Sequence, residues 1–288
     1  MPRFSLANLA RRQRNIRRSS ITLRDIVPPA TLATDLYRAC YLPVITAWTN
    51  ALPRIDATYA RSLSELVQDS PADMRAEIDG VGDAINRLLL VLTPEVRSWA
   101  LSVERFVRSR FRGAILSAVG VDLATLMGPE DARETLETVI ERNVALIRDV
   151  SAQAQGRISD AVFRGLSERK PAREVAKDIR SAVDMGRDRS IRIASHQLSS
   201  LSSDLARERR RDAGLEIFAW HHSRKRFPRQ EHAERDGDLY SENAALVGKK
   251  VGGKTVKAAP PAGDRAGIKP ACGCRERGVL VFAFDGED

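Results

Sequence analysis

Long apolar runs are missing from these 288 residues: none reaches the roughly eighteen a membrane-spanning helix needs, so no membrane partner is expected. The basic N-terminus has no apolar stretch behind it, which excludes a secretory signal as the reading of that end. Cysteines number three and are scattered, too few for a disulfide framework, so a reducing compartment is the default. Aromatics are only 5% of the chain while charged residues are 30%, a balance that favours amphipathic helices with aliphatic seams over a sheet-dominated fold. Hydrophobic residues reach 43%, which excludes a disordered chain.

Charge is present in excess and unevenly placed. The net charge is +9, and residues 1–24 hold seven arginines before the first acid, Asp25. A second basic stretch contains Arg207, Arg209, Arg210, Arg211, Arg224, Lys225, Arg226 and Arg229. Together they outweigh the net charge, so the remainder is slightly acidic. Concentrated cations suit a polyanion, and these eight side chains are the candidate contacts for double-stranded DNA, bound without regard to sequence. A solvated arm and a charged helix end would look the same.

Helical periodicity runs through most of the chain. Residues 1–29 read as a basic N-terminal arm, with Leu6, Leu9 and Ile16 able to form one side of a short helix. Residues 30–128 read as an N-terminal helical region. Pro43 and Pro53 are expected to kink or end its first helix, where Ile55, Tyr59, Leu63, Leu66 and Val67 keep helix spacing. Ser70-Pro71 starts another, with a stripe from Met74 to Leu92, and Thr93-Pro94 should start a third, forming a hairpin with it. Trp99 and Phe106 lie in that third seam and are assigned to core. Gly128-Pro129 marks a boundary. Residues 129–213 form the helical body: a long helix expected to stop at Gly165, one from Lys170-Pro171 to Gly186, and one over 187–212 with Ile191, Ala194, Leu198, Leu201 and Leu205 buried.

At Gly214 the period changes. Residues 215–220 and 278–284 read as paired strands, with a long loop over 241–269 and one short strand at Thr255-Val256. The fold class is therefore mainly α with a small C-terminal α+β module over 214–288: an elongated helical body followed by a loop-rich, short-stranded domain.

Chemistry-bearing residues concentrate in that module. His232, Cys272 and Cys274, with His221 or His222 as a fourth ligand, have the donor types of one tetrahedral structural zinc. The spacing matches no finger pattern, and the same residues also suit packing and hydrogen bonding. His221-His222 with Asn243 is a partial match to a His-Asn-His nuclease, but the third histidine is lacking. Glu231, Glu234, Asp236 and Asp238 flank a turn and read as surface. Cys272 and His232 could serve as nucleophile and base, with no third orienting group evident. Gly248 to Thr255 formally matches a phosphate-binding loop, but no strand precedes it and Pro260-Pro261 stops any following helix.

Taken in order, Trp220, Arg229 with His232, Asp236-Gly237, Pro261-Ala262-Gly263-Asp264 and Cys272-Gly273-Cys274-Arg275 resemble the C-terminal motif of the bacteriophage head-morphogenesis, or minor head, proteins typified by the F protein of phage Mu. Upstream, Asn143-Val144-Ala145-Leu146-Ile147-Arg148 and Arg192-Ile193-Ala194-Ser195 are similar too, so the resemblance covers about residues 120–282. Two departures stand out: Gly273 replaces the arginine between the cysteines, and the loop between Gly237 and Pro260 is enlarged. The resemblance implies a non-enzymatic minor capsid protein of the virion, sited in the head interior or at the portal vertex, and in the host cytoplasm during assembly. Its implied partners are the portal protein, the major capsid or scaffold proteins and packaged DNA. The competing class is a metal-dependent nuclease or toxin-like enzyme carried by the module.

Overall fold

The computed structural model describes residues 3–13, 17–65, 70–128 and 130–286. Ile16, Leu66, Val67 and Pro129 of the sequence reading lie outside them. The architecture is a long helical body with a small strand-rich module, and no described helix is long and apolar enough to cross a membrane. The elements are α1 (Leu6–Gln13), β1 (Ser20–Thr22), α2 (Thr31–Leu36), α3 (Leu42–Glu65), α4 (Ser70–Val119), α5 (Arg133–Glu168), α6 (Ala172–Asp212), β2 (Ile217–His221), α7 (Gln230–Glu234), β3 (Leu239–Ser241), β4 (Lys250–Val251), β5 (Lys254–Ala258) and β6 (Arg275–Val281). The chain groups into two compact units: residues 1–29, 101–136 and 196–288 in one, residues 30–100 and 137–195 in the other.

The second unit is all helix. Its core follows the stripe read from Met74 to Leu92, with Ile55, and continues through Ile147, Ile158 and Ile179. Its indoles also find partners: Trp48 donates to the Ser151 hydroxyl at 3.2 Å and Trp99 to the Leu32 carbonyl at 2.7 Å. Buried Trp N–H groups need such acceptors.

Several expected breaks do not occur. Pro53 lies inside α3, and Pro94 inside α4, which runs unbroken from Ser70, so the expected hairpin is absent. Each proline removes one backbone bond, to Thr49 and Leu90 respectively. Both acceptor residues are exposed, so the freed carbonyls lie on the solvent side. A π turn over Tyr37–Tyr41, with Leu42 donating to the Tyr37 carbonyl, absorbs the register change at Pro43. Gly165 is interior to α5, and α6 is one helix through Gly186. There the buried stripe is carried by Gly186 and Ser190, whose hydroxyl donates to the Gly186 carbonyl at 2.8 Å, while Ile191 faces solvent.

In the first unit the basic arm is folded in. Leu6 and Ala10 of α1 are buried with Phe111, Ile115, Leu123, Ala213, Leu215 and Leu280. Arg3 pairs with Asp131, and Arg11 donates to the Phe282 carbonyl. The short helix that Leu6 and Leu9 allow is present as α1, and burial of apolar Leu6, Ala10 and Leu23 orders it, a gain that local charge repulsion does not reveal.

The strands form one sheet in the order β1-β6-β2-β3-β5-β4, antiparallel except for β3 with β5. The expected pairing of β2 with β6 is present, Ile217 opposite Val279. The stretch read as a loop holds β4 and β5, and β3 starts just before it. Gly252 and Gly253, both at positive φ, turn β4 into β5 in the phosphate-loop look-alike, and both amides donate to the Asp285 carboxylate. Central β2 is covered on both faces. Ile217 and Ala219 pack with Leu239, Val256 and Val279; Phe218 and Trp220 pack with Tyr240, Ala266, Cys272 and Cys274.

A candidate metal centre

His232 is on the short helix α7, and Cys272 and Cys274 stand just before β6. All three are buried, with their donor atoms within 4.8 Å of one another. Cys272 Sγ is 3.5 Å from His232 Nδ1. Ligands about 2.3 and 2.0 Å from a tetrahedral zinc would be roughly 3.6 Å apart, so this edge already has the required length. The cluster can hold a metal ion such as zinc.

The surroundings orient these donors. Trp220 Nε1 donates to the His232 carbonyl at 3.0 Å, and the imidazole stands edge-on to the indole at 5.1 Å. His232 Nε2 is 3.1 Å from Asp264 Oδ1. A carboxylate there fixes the tautomer with the proton on Nε2, which points the Nδ1 lone pair at the thiols. Asp264 is in turn held by Lys269 and by Arg235, at 2.6 Å. Burial alone would raise its pKa, but hydrogen bonds from Lys269, His232 and Arg235 hold it well below the usual carboxylate range. Of the two thiols, Cys274 donates to Cys272; that bond pushes Cys272 down and Cys274 up. Asp264 is thus the orienting group that sequence reading of the Cys272–His232 pair did not find. Forty residues of chain separate His232 from Cys272, and only the fold brings Asp264 between Arg235 and His232.

The other motif residues gather around this cluster. Gly237, at φ +81°, donates to the Trp220 carbonyl at 2.8 Å, a left-handed turn that disfavours any residue with a Cβ. The Asp236 carboxylate accepts from the His222 amide at 2.9 Å. Gly263 precedes Asp264 in a short 3-10 turn, Arg229 donates to the Pro270 carbonyl, and Arg275 donates to the Gly273 carbonyl. A Cβ on Gly273 would come within 3.0–3.1 Å of Ser223 Cβ and Lys225 Cε, so the missing arginine makes room for the β2–α7 loop.

Neither His221 nor His222 joins the metal group. His221 Nε2 is 3.3 Å from Asp25, which also faces Arg275 and Arg277. His222 Nδ1 accepts from the Arg224 amide at 3.2 Å. Among the described residues, three protein donors therefore leave one tetrahedral position to water or another donor.

The eight basic candidates do not form one patch. Arg209 is buried and bound to Glu104 at 2.7 Å, with Asp131 and the Gly128 carbonyl. Arg210 is buried against Glu276, and Arg207 is flanked by Asp204 and Glu276. These side chains are structural counter-ions. The run of arginines at the end of α6 looks solvated only if its carboxylate partners, distant in sequence, are unseen. Arg211 is exposed but pairs with Glu242 at 2.9 Å; Arg224, Lys225, Arg226 and Arg229 are exposed.

Glu276 anchors the buried charge. Arg265 binds it through Nε at 2.7 Å and Nη2 at 2.8 Å, and Arg210 binds its Oε2. The Arg210 and Arg265 guanidiniums lie 4.7 and 4.6 Å from the Phe218 ring centre. Burial would raise the Glu276 pKa, but Arg210 and Arg265 bring it to about 2.

No family model and no solved structure matches this chain. Over 122 residues it is 25% identical to an uncharacterised protein of Haemophilus influenzae. That alignment covers 42% of this chain and 27% of the relative, so the chain spans about a quarter of that protein's length. Fold and site together define a mainly helical protein whose strand-rich module is built around a His-Cys-Cys cluster.

Proposed function

We propose that this chain is a structural protein of the phage head, which contacts packaged DNA without reading its sequence and whose module is stapled by zinc at His232, Cys272 and Cys274. The observation that carries the reading is convergence. The residues resembling the minor head motif are spread from Trp220 to Arg275, yet they hold one another around a single cluster through the hydrogen bonds given above. A motif whose members mainly bind each other serves to build a module. Burial of all three donors suits an ion that braces the fold, because a catalytic zinc needs a position that substrate can reach. The exposed cations of residues 224–229 supply phosphate contacts, and exposed Leu90 and Val91 on α4 offer an apolar surface to a portal or capsid subunit.

A second reading has its own observation: Cys272, His232 and Asp264 stand in line as nucleophile, base and orienting carboxylate. One preparation tests both. The purified chain is expected to carry stoichiometric zinc and to retain plasmid DNA at low salt without nicking it. Nicking that disappears in His232→Ala would give the enzyme reading. Phage particles that lack the polypeptide would overturn the head reading.

A further inference from the structure

Phe227, in the loop between β2 and α7, is 85% exposed, more than any other large hydrophobic side chain described. Arg224, Lys225, Arg226 and Arg229 surround it in sequence, all exposed. Among the described residues Arg224 and Arg226 pair with no carboxylate, and the Arg226 guanidinium lies 5.2 Å from the Phe227 ring centre. The loop is braced from behind. Lys225 Nζ donates to the Ala271 carbonyl at 2.7 Å and Arg229 Nη2 to the Pro270 carbonyl at 3.0 Å, both just before Cys272. Arg224 is held at φ +54°, with its amide on His222. A non-glycine residue keeps such a backbone only where its surroundings impose it. The ring is therefore presented by a tied loop beside the metal cluster.

We propose that Phe227 stacks on an unpaired nucleobase while Arg224 and Arg226 hold the flanking phosphates, so that this loop prefers single-stranded to duplex DNA. The proposal rests on the DNA-contact reading and narrows it: the cations meet the phosphates of packaged duplex, and the ring adds contact wherever a base is unpaired. A ring and a guanidinium plane stack on any base, which suits contact without sequence preference. A duplex keeps its bases stacked and offers the ring little. A lipid surface is the poorer fit, because interfacial segments bury an apolar face and this loop has one ring among four cations.

The test measures binding of the full chain to a short mixed-sequence single strand, to the matching duplex and to phosphatidylserine vesicles. Wild type should favour the single strand. Phe227→Ala should weaken that binding about tenfold and the duplex less than about twofold, with an unchanged salt dependence. Phe227→Trp should restore it. Arg224→Ala and Arg226→Ala should weaken both DNAs and flatten the salt dependence by about 0.7 to 0.9 each. Equal losses on both DNAs, or none, in Phe227→Ala would end the stacking proposal while the DNA-contact reading stands. A wild-type chain that binds neither DNA would end both, and binding to vesicles alone would assign the loop to a lipid surface instead. Phe227 is exposed, so its variants should fold as wild type does.

Discussion

Replacing Glu276 with Gln keeps the side chain's shape and removes its charge. In the native module that carboxylate is bound by Arg265 and Arg210, and its side chain is only 6% exposed. A pKa lowered from 4.5 to about 2 corresponds to about 3 kcal/mol of stability at neutral pH. The same interaction judged from Arg210, which would lose its buried counter-charge, gives a similar size, about 3–5 kcal/mol when buried pairs are broken. The folded pKa lies below the unfolded one, so the contribution is complete above the unfolded value and fades as pH falls toward the folded value. At about pH 3 roughly half should remain. Trp220, buried beside the cluster, reports on this unit once Trp48 and Trp99, both in the other unit, are changed to Phe. Urea unfolding followed by its fluorescence should show Glu276→Gln destabilised by about 3 kcal/mol at neutral pH, with a narrower gap in acid. A loss below about 1 kcal/mol, or a gap that does not change with pH, would refute the argument that the guanidiniums are desolvated around a charged carboxylate.

Arg209→Ala should cost about 3 kcal/mol in the same assay, because it leaves buried Glu104 with Arg108 alone, at 3.3 Å; unchanged stability with weakened DNA binding would return Arg209 to the DNA surface. A strong chelator should lower the unfolding temperature read by Trp220 in the same background; an unchanged temperature would remove the ion from the module's stability. Asp264→Asn should weaken zinc affinity about 10- to 100-fold in a competition titration, by loosening the His232 imidazole; an unchanged affinity would remove the carboxylate from the metal site.

Much was legible in one dimension because it depends on period. Apolar spacing in α4, α5 and α6 gave helices, and alternation gave β2 and β6, since each element shows one face to a core whatever lies beyond it. Helix ends were less legible. Pro53, Pro94 and Gly186 are locally unfavourable, but one unfavourable residue is outweighed by the packing of several turns on either side. The candidate ligands His232, Cys272 and Cys274 were visible as types, because few residues combine those donors and this chain has few of them. Their number and order around an ion were not visible, and neither was Asp264 as the group that orients His232.

Charge was the least legible property. Arginine carries the same formal charge in water and in a core, so residues 207–211 counted as a patch until Glu104, Asp131, Glu242 and Glu276 were seen beside them. By itself the sequence determined the helical body, the strand-rich end and the ligand inventory, all of which follow from local pattern. Only the tertiary structure decided which cations remain free, that the N-terminal arm is folded in, and that Trp220, His232, Asp264 and the two cysteines meet. Those outcomes depend on contacts between residues tens to hundreds of positions apart, and such contacts leave no periodic trace in the chain.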